Sequence, residues 1–354
     1  MGNSLLAVRG INHKYIVVGR RKQKMERKHY DAIDGLRTIA CFGIVLMHVQ
    51  ANNNYDISGF VYDKLIASFT NFVFLFMVIS AFGMCCGYLD KVLNNQISLE
   101  AFYFKRYSKI LPFFVILVLI DIIMSPSKAA LIEGFADVTL LFGLFPNNIS
   151  VIGVGWFLGL IFAFYLIFPF YCVLIKTKKR AWAAFIISLL LNYVGGSYFD
   201  IGRTNIIYCL CYLTAGGLIY LYLKELEQFS SKFQWISLGI IIVTAVLYFL
   251  IGGNTITMLL VSVSMLIYAL GRTRGGVLSN PFTKFISSTS MEIYLSHMVI
   301  FRVIERLGIN TLIGNGWAQY ALTVVIVLVG TIIFSAVMKQ ILDLLGKNVS
   351  RKMA

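Results

Sequence analysis

The sequence predicts an all-α fold: a polytopic membrane bundle of about ten transmembrane helices with both termini cytoplasmic. Three observations carry this. Of the 354 residues, 58 % are hydrophobic and 13 % charged, with a mean hydropathy of +0.80, whereas soluble domains are about one-quarter charged. Apolar runs of roughly 20 residues, enough to cross a bilayer as helices, recur along the chain. The cations also obey the positive-inside rule. With the N-terminus inside, 26 of the 31 Lys and Arg residues fall on the cytoplasmic side, leaving Lys64, Lys128, Arg203, Arg302 and Arg306 outside. The net charge of +15 therefore reflects loop topology, and nucleic acid is not expected as a partner.

Residues 1–28 read as a basic cytoplasmic leader, 29–340 as the membrane domain and 341–354 as a basic cytoplasmic tail. The apolar stretch Ile16 to Val18 in the leader is too short for a secretory signal, and Met25 offers a second start. Candidate spans lie near 35–50, 65–88, 110–124, 154–175, 181–194, 205–223, 235–251, 255–270, 285–304 and 318–338. Asp34 reads as the N-cap of the first, and Pro112 as the start of the third. Asp137 to Pro146 is apolar but too short to cross, hence re-entrant or interfacial. Lys176-Thr-Lys-Lys-Arg180 closes the fourth span, and Gly252-Gly-Asn254 is the whole turn between the seventh and eighth. Cys41, Cys85, Cys86, Cys172, Cys209 and Cys211 lie in or beside apolar segments without a C-x-x-C pair. They read as small buried hydrophobes, and no metal site is expected. There is no internal repeat of the kind many transporters carry and no P-loop.

Ionisable side chains within apolar spans are costly and face cavities or partners. Arg37 and His48, in the first span, are eleven residues apart. On a helix they lie within about 20° of one stripe and roughly 16 Å apart along the axis, which suggests one shared hydrated path. Arg106 and Lys109 are three apart, face the same way and suit phosphate oxygens, although for this motif alone positive-inside charge before a helix-start proline is the better reading. Ser80 in the second span has small neighbours typical of helix packing. Trp156 reads as an outer headgroup anchor or a pocket residue. Glu292, Tyr294 and His297 bring a carboxylate, a phenol and a second imidazole into the ninth span.

Taken in order, these residues resemble the acyltransferase-3 family of integral membrane acyltransferases. The Arg-x10-His pair of its first helix is matched by Arg37 and His48. Its Phe-Phe-x-x-Ser-Gly-like element is matched loosely around Ser80, and its Arg-x-x-Arg-x-x-Pro-like element by Arg106, Lys109 and Pro112. Its Trp-containing helix is matched at Trp156, and its late Tyr-Leu-x-His element by Tyr294 and His297. Ala81 replaces a common glycine, Lys109 an arginine, and Ile161 stands where one branch has glutamate. The resemblance runs from about residue 30 to 340.

It implies transfer of an acyl group, usually acetyl from cytoplasmic acetyl-CoA, to a hydroxyl of an envelope or exported polysaccharide at the plasma membrane. No cofactor is held permanently. Arg37, Arg106 and Lys109 are then expected to grip the CoA phosphates, with His48 as general base. Ser80, Tyr294 or His297 would orient it within a substrate pocket that also takes in Trp156 and Glu292. An acyl-histidine relay is an allowed variant. No soluble esterase-like domain follows residue 354, so transfer is expected to finish in the bundle or on a glycan-assembly partner. The rival reading is a transporter or flippase for a glycan or small solute, with Arg37 and His48 lining its path; a membrane sensor or scaffold is a third.

Overall fold

The computed structural model describes residues 29–144, 152–272 and 276–353, so the leader at 1–28 and Pro146 lie outside the described residues. Among those residues there is no strand. The helices are α1 (Asp31–Ala51), α2 (Phe72–Met84), α3 (Asp90–Leu93), α4 (Leu99–Met124), α5 (Lys128–Thr139), α6 (Trp156–Leu174) and α7 (Lys178–Tyr198). They continue with α8 (Ile206–Leu221), α9 (Leu223–Gln228), α10 (Ser230–Ile251), α11 (Thr255–Leu270), α12 (Pro281–Ser288), α13 (Ser290–Arg306) and α14 (Gly316–Met353). Seven described helical stretches are long and apolar enough to cross a membrane, and α8 and α11 are shorter apolar helices. The chain is a multi-pass helical membrane protein.

Burial separates centre from rim. Of the apolar stretch through α2, 72 % is buried, against 11 % in α10. Helices α1, α2 and α6 form the middle, while α7, α10 and α14 turn Ile, Leu, Val and aromatic side chains outward, as lipid contact allows. Small residues let the central helices approach: a Cβ on Gly216 of α8 would stand 2.4 Å from the Val78 carbonyl oxygen and 2.9 Å from the Ala81 Cβ. Ala81, where a family glycine is common, is thus at a close crossing of α2 and α8 that tolerates one methyl. The turn at Gly252 (φ +89°) needs a glycine, and Asn254 closes it with a capping box to Thr257. Outside the spans, a hydrogen bond from the Lys178 ammonium holds the Glu225 carboxyl below the usual carboxylate range. Five of the six cysteines are buried; Cys86 is exposed.

Three expectations change. Asp34 is not a cap: α1 begins at Asp31, and Asp34 is buried one turn in. Its carboxylate accepts from Ser287 Oγ at 2.6 Å, lies 2.6 Å from His29 Nε2, and faces Arg37 at 3.8 Å. Helix α4 starts at Leu99, capped by Ser98, so Pro112 is well inside it and Arg106 and Lys109 sit on the helix itself. The ninth span breaks at Thr289, whose hydroxyl bonds the Phe285 and Ile286 carbonyls. The run Ser287-Ser-Thr-Ser290 offers the backbone alternative partners, which explains the break. Segment 137–144 is the end of α5 plus a single 3-10 turn, with Leu131, Ile132 and Phe135 of α5 facing outward.

Candidate active site

Helices α1 and α2 run antiparallel. Gly83, near the end of α2, lies against Arg37 near the start of α1, and Phe72 packs on Gly43 at the other end. The start of α4 and the break between α12 and α13 join Arg37 and Gly83 to enclose a cavity of about 290 Å³. Six expected residues line it: Arg37, Ser80, Arg106, Lys109, Glu292 and Tyr294.

The lining is strongly cationic. Lys109 interacts electrostatically with Arg37, Arg106 and Glu292, and Glu292 is the one carboxylate among the described lining residues. Arg106 donates to the Tyr88 hydroxyl, and its guanidinium lies 4.4 Å from the Tyr88 ring centroid and 5.7 Å from that of Tyr165. This holds the plane of the guanidinium while its Nε remains buried without a partner. Lys109 is exposed at the mouth.

His48, His297 and Trp156 are not in that lining. Phe76, Phe157 and Tyr294 form the deep wall, and the Tyr294 hydroxyl donates to the Val154 carbonyl at 2.9 Å. The His297 ring follows at 5.9 Å from Tyr294, and His48 at 5.0 Å from His297. Arg37 and His48 therefore do not share one open passage: Tyr294 and His297 stand between the cavity and His48. The span positions were legible, but the side-chain wall depends on α6 and α13 meeting at Phe157 and Tyr294, which spacing along α1 does not reveal.

His297 is fully buried. Its Nδ1 is 2.6 Å from the Tyr294 carbonyl oxygen, which can only accept, so Nδ1 carries the proton and donates. In the neutral ring, Nε2 then carries a bare lone pair, buried and without a partner beside His48. Two residues that sequence reading passed over complete the surroundings. Tyr165, one of many aromatics in its span, is buried under Arg106 at the basic end. Arg203, counted only as an outer loop cation, acts electrostatically on both His48 and Tyr294. Its position after an apolar span was the available signal. Trp156 lies beside Arg203, 5.6 Å from ring centroid to guanidinium.

Comparison with known proteins adds one match. The acyltransferase-3 family model, described as an acyltransferase domain, matches residues 30–338. Comparisons with curated proteins and with solved structures found no match. The match takes in most of the bundle and every residue of the cavity and of the histidine pair, and on that ground the chain belongs to the acyltransferase-3 family and is a membrane acyltransferase.

Proposed function

We propose that this acyltransferase moves an acyl group, acetyl in the simplest case, from cytoplasmic acyl-CoA to a hydroxyl of a cell-surface or exported polysaccharide, acting in the plasma membrane. The observation that carries the proposal is the cavity that gathers Arg37, Arg106 and Lys109 against Glu292, the one carboxylate among its described lining residues. Guanidinium groups bind phosphate oxygens through paired, charge-assisted hydrogen bonds. The positive-inside bias supports a cytoplasmic position for this end of the bundle, where acyl-CoA is found. At about 290 Å³ the space stands at the small end of ligand pockets, roughly 300–1,000 Å³. It suits the pantetheine arm, with the nucleotide at the mouth near Lys109.

The thioester is then directed at Tyr294, and the wall of Phe76, Phe157 and Tyr294 has to part for the carbonyl to meet His48. A ring nitrogen of His48 takes the proton of the acceptor hydroxyl. The hydroxyl oxygen bonds to the thioester carbonyl carbon, and the carbon–sulfur bond breaks. The CoA thiolate leaves and takes that proton back from His48. The bare Nε2 of His297 beside His48 suits a partner that accepts from the imidazolium formed in between.

The test supplies labelled acetyl-CoA to purified protein in vesicles together with surface glycan. Label should move to glycan with the wild-type protein and stay on CoA with His48→Ala at equal abundance. Label on the wild-type protein at His48 would convert the direct step into an acyl-histidine relay. Label remaining on CoA with the wild-type protein would refute the proposal.

A further inference from the structure

Beyond the histidine pair, at the end of the bundle opposite the cavity, stands a second cation. Arg203 lies between α7 and α8 and donates to the Thr70 carbonyl at 2.6 Å. Its guanidinium lies between two rings, 5.1 Å from Phe74 and 5.6 Å from Trp156. The Nε is buried and has no partner. Among the described residues no carboxylate pairs with this side chain, and the bond to Thr70 is the one side-chain hydrogen bond it makes. A guanidinium carries five N–H donors. Arg203 is partly buried, and a cation without a countercharge inside a membrane protein is costly unless something arrives to pair with it.

The direction of the chain fixes which side this is. Thr70 and Phe74 precede the part of α2 that lines the donor cavity, and Trp156 opens α6. Arg203 therefore approaches His48 and Tyr294 from the side away from Arg37 and Arg106. The rings hold the guanidinium plane and leave its unused N–H edge for a planar or tetrahedral anion.

We propose that Arg203 binds an anionic group, a carboxylate or a phosphate, on the acceptor, and thereby fixes which hydroxyl is presented to His48. This rests on the acyl-transfer reading of the site. Arg203 orients the acceptor and takes no part in the proton transfer.

The test uses the full chain in detergent or nanodiscs with three soluble probes: methyl glucoside, methyl glucuronide and methyl glucoside 6-phosphate. Binding is read from Trp156 fluorescence, with Trp156→Phe assigning the signal. One or both charged probes should bind the wild-type protein more tightly than the neutral one, and which does so separates carboxylate from phosphate. Arg203→Gln should weaken that probe about 10- to 100-fold, Arg203→Lys should weaken it less, and CoA affinity should hold in both. Equal binding of all three sugars would overturn the proposal, as would no binding of either charged probe. A parallel fall in CoA affinity and thermal stability in both variants would reduce Arg203 to a structural tie and also overturn it. Charged-probe binding that depends on Arg203 without any acyl transfer would support the anion site and count against the acyl-transfer reading alone.

Discussion

The imidazoles of His48 and His297 lie 5.0 Å apart between ring centroids, tilted by 47°, although they come from the first and the next-to-last helices of the bundle. One ring has its protonated nitrogen tied to the Tyr294 carbonyl and its other nitrogen bare. His48 thus has a neighbour whose bare nitrogen can accept an N–H hydrogen bond once the two rings turn toward each other.

His48→Ala should lower kcat for acyl transfer by about 10²- to 10⁴-fold, the usual span of general-base catalysis. His297→Ala should lower kcat less and leave KM for acyl-CoA nearly constant. Steady-state kinetics on matched amounts of folded protein check this. A KM effect without a kcat effect would remove both residues from the chemistry.

Arg37→Gln, Arg106→Gln and Lys109→Gln should each raise KM for acyl-CoA more than they lower kcat. A charge-assisted hydrogen bond contributes about 1.5–3 kcal/mol, so a 10- to 100-fold rise is expected for either arginine. The exposed Lys109 should give a smaller, salt-sensitive effect. Titration with CoA at two ionic strengths separates them.

Asp34 ties the start of α1 to α12 through Ser287 and offers Arg37 its nearby countercharge. Asp34→Ala should cost about 1–3 kcal/mol of stability by leaving Ser287 unpaired and should raise KM for acyl-CoA as Arg37 loses its reference. Ser287→Ala should reproduce a smaller part of the stability loss and little of the KM change. Thermal unfolding in detergent and a CoA titration read the two effects.

Arg302 and Asp121 form an ion pair that links α13 to α4, with the carboxylate buried. Arg302→Leu should destabilise on the order of 3 kcal/mol by stranding Asp121. The double variant with Asp121→Leu should recover most of it. A double variant as unstable as the single one would show that the pair itself, and not the stranded charge, carries the effect.

Gly216→Val should be worse than most substitutions in the bundle, because the new carbons meet backbone at Val78. Overpacking of this kind costs about 1–3 kcal/mol. A lower melting temperature, or aggregation on size-exclusion chromatography, is the expected readout.

The fold class was legible because bilayer physics constrains composition and loop charge so tightly. The inner half of the site was legible for a related reason: Arg37, Arg106, Lys109 and Glu292 are costly in or beside apolar spans, and the cavity collects all four. Asp34 misled because an aspartate just before an apolar run looks like a cap, while the helix starts a turn earlier at Asp31. The wall at Tyr294 was hidden because a tyrosine in a span carries no sign of which way its ring turns. Arg203 was hidden for the opposite reason: in a topology count, any cation between spans looks like loop charge, and only the fold reveals that Phe74 and Trp156 stand beside it.

The central claim is that the basic cavity takes the acyl donor and that its acyl end passes Tyr294 to His48. Cryo-electron microscopy of the protein with a non-hydrolysable acyl-CoA analogue tests it most directly. The account predicts phosphates in hydrogen-bonding contact with Arg37 and Arg106, and the carbonyl beyond a displaced Tyr294 ring beside His48. Analogue density anywhere else, or a cavity still closed at Tyr294 with the acyl end turned away from His48, would contradict it.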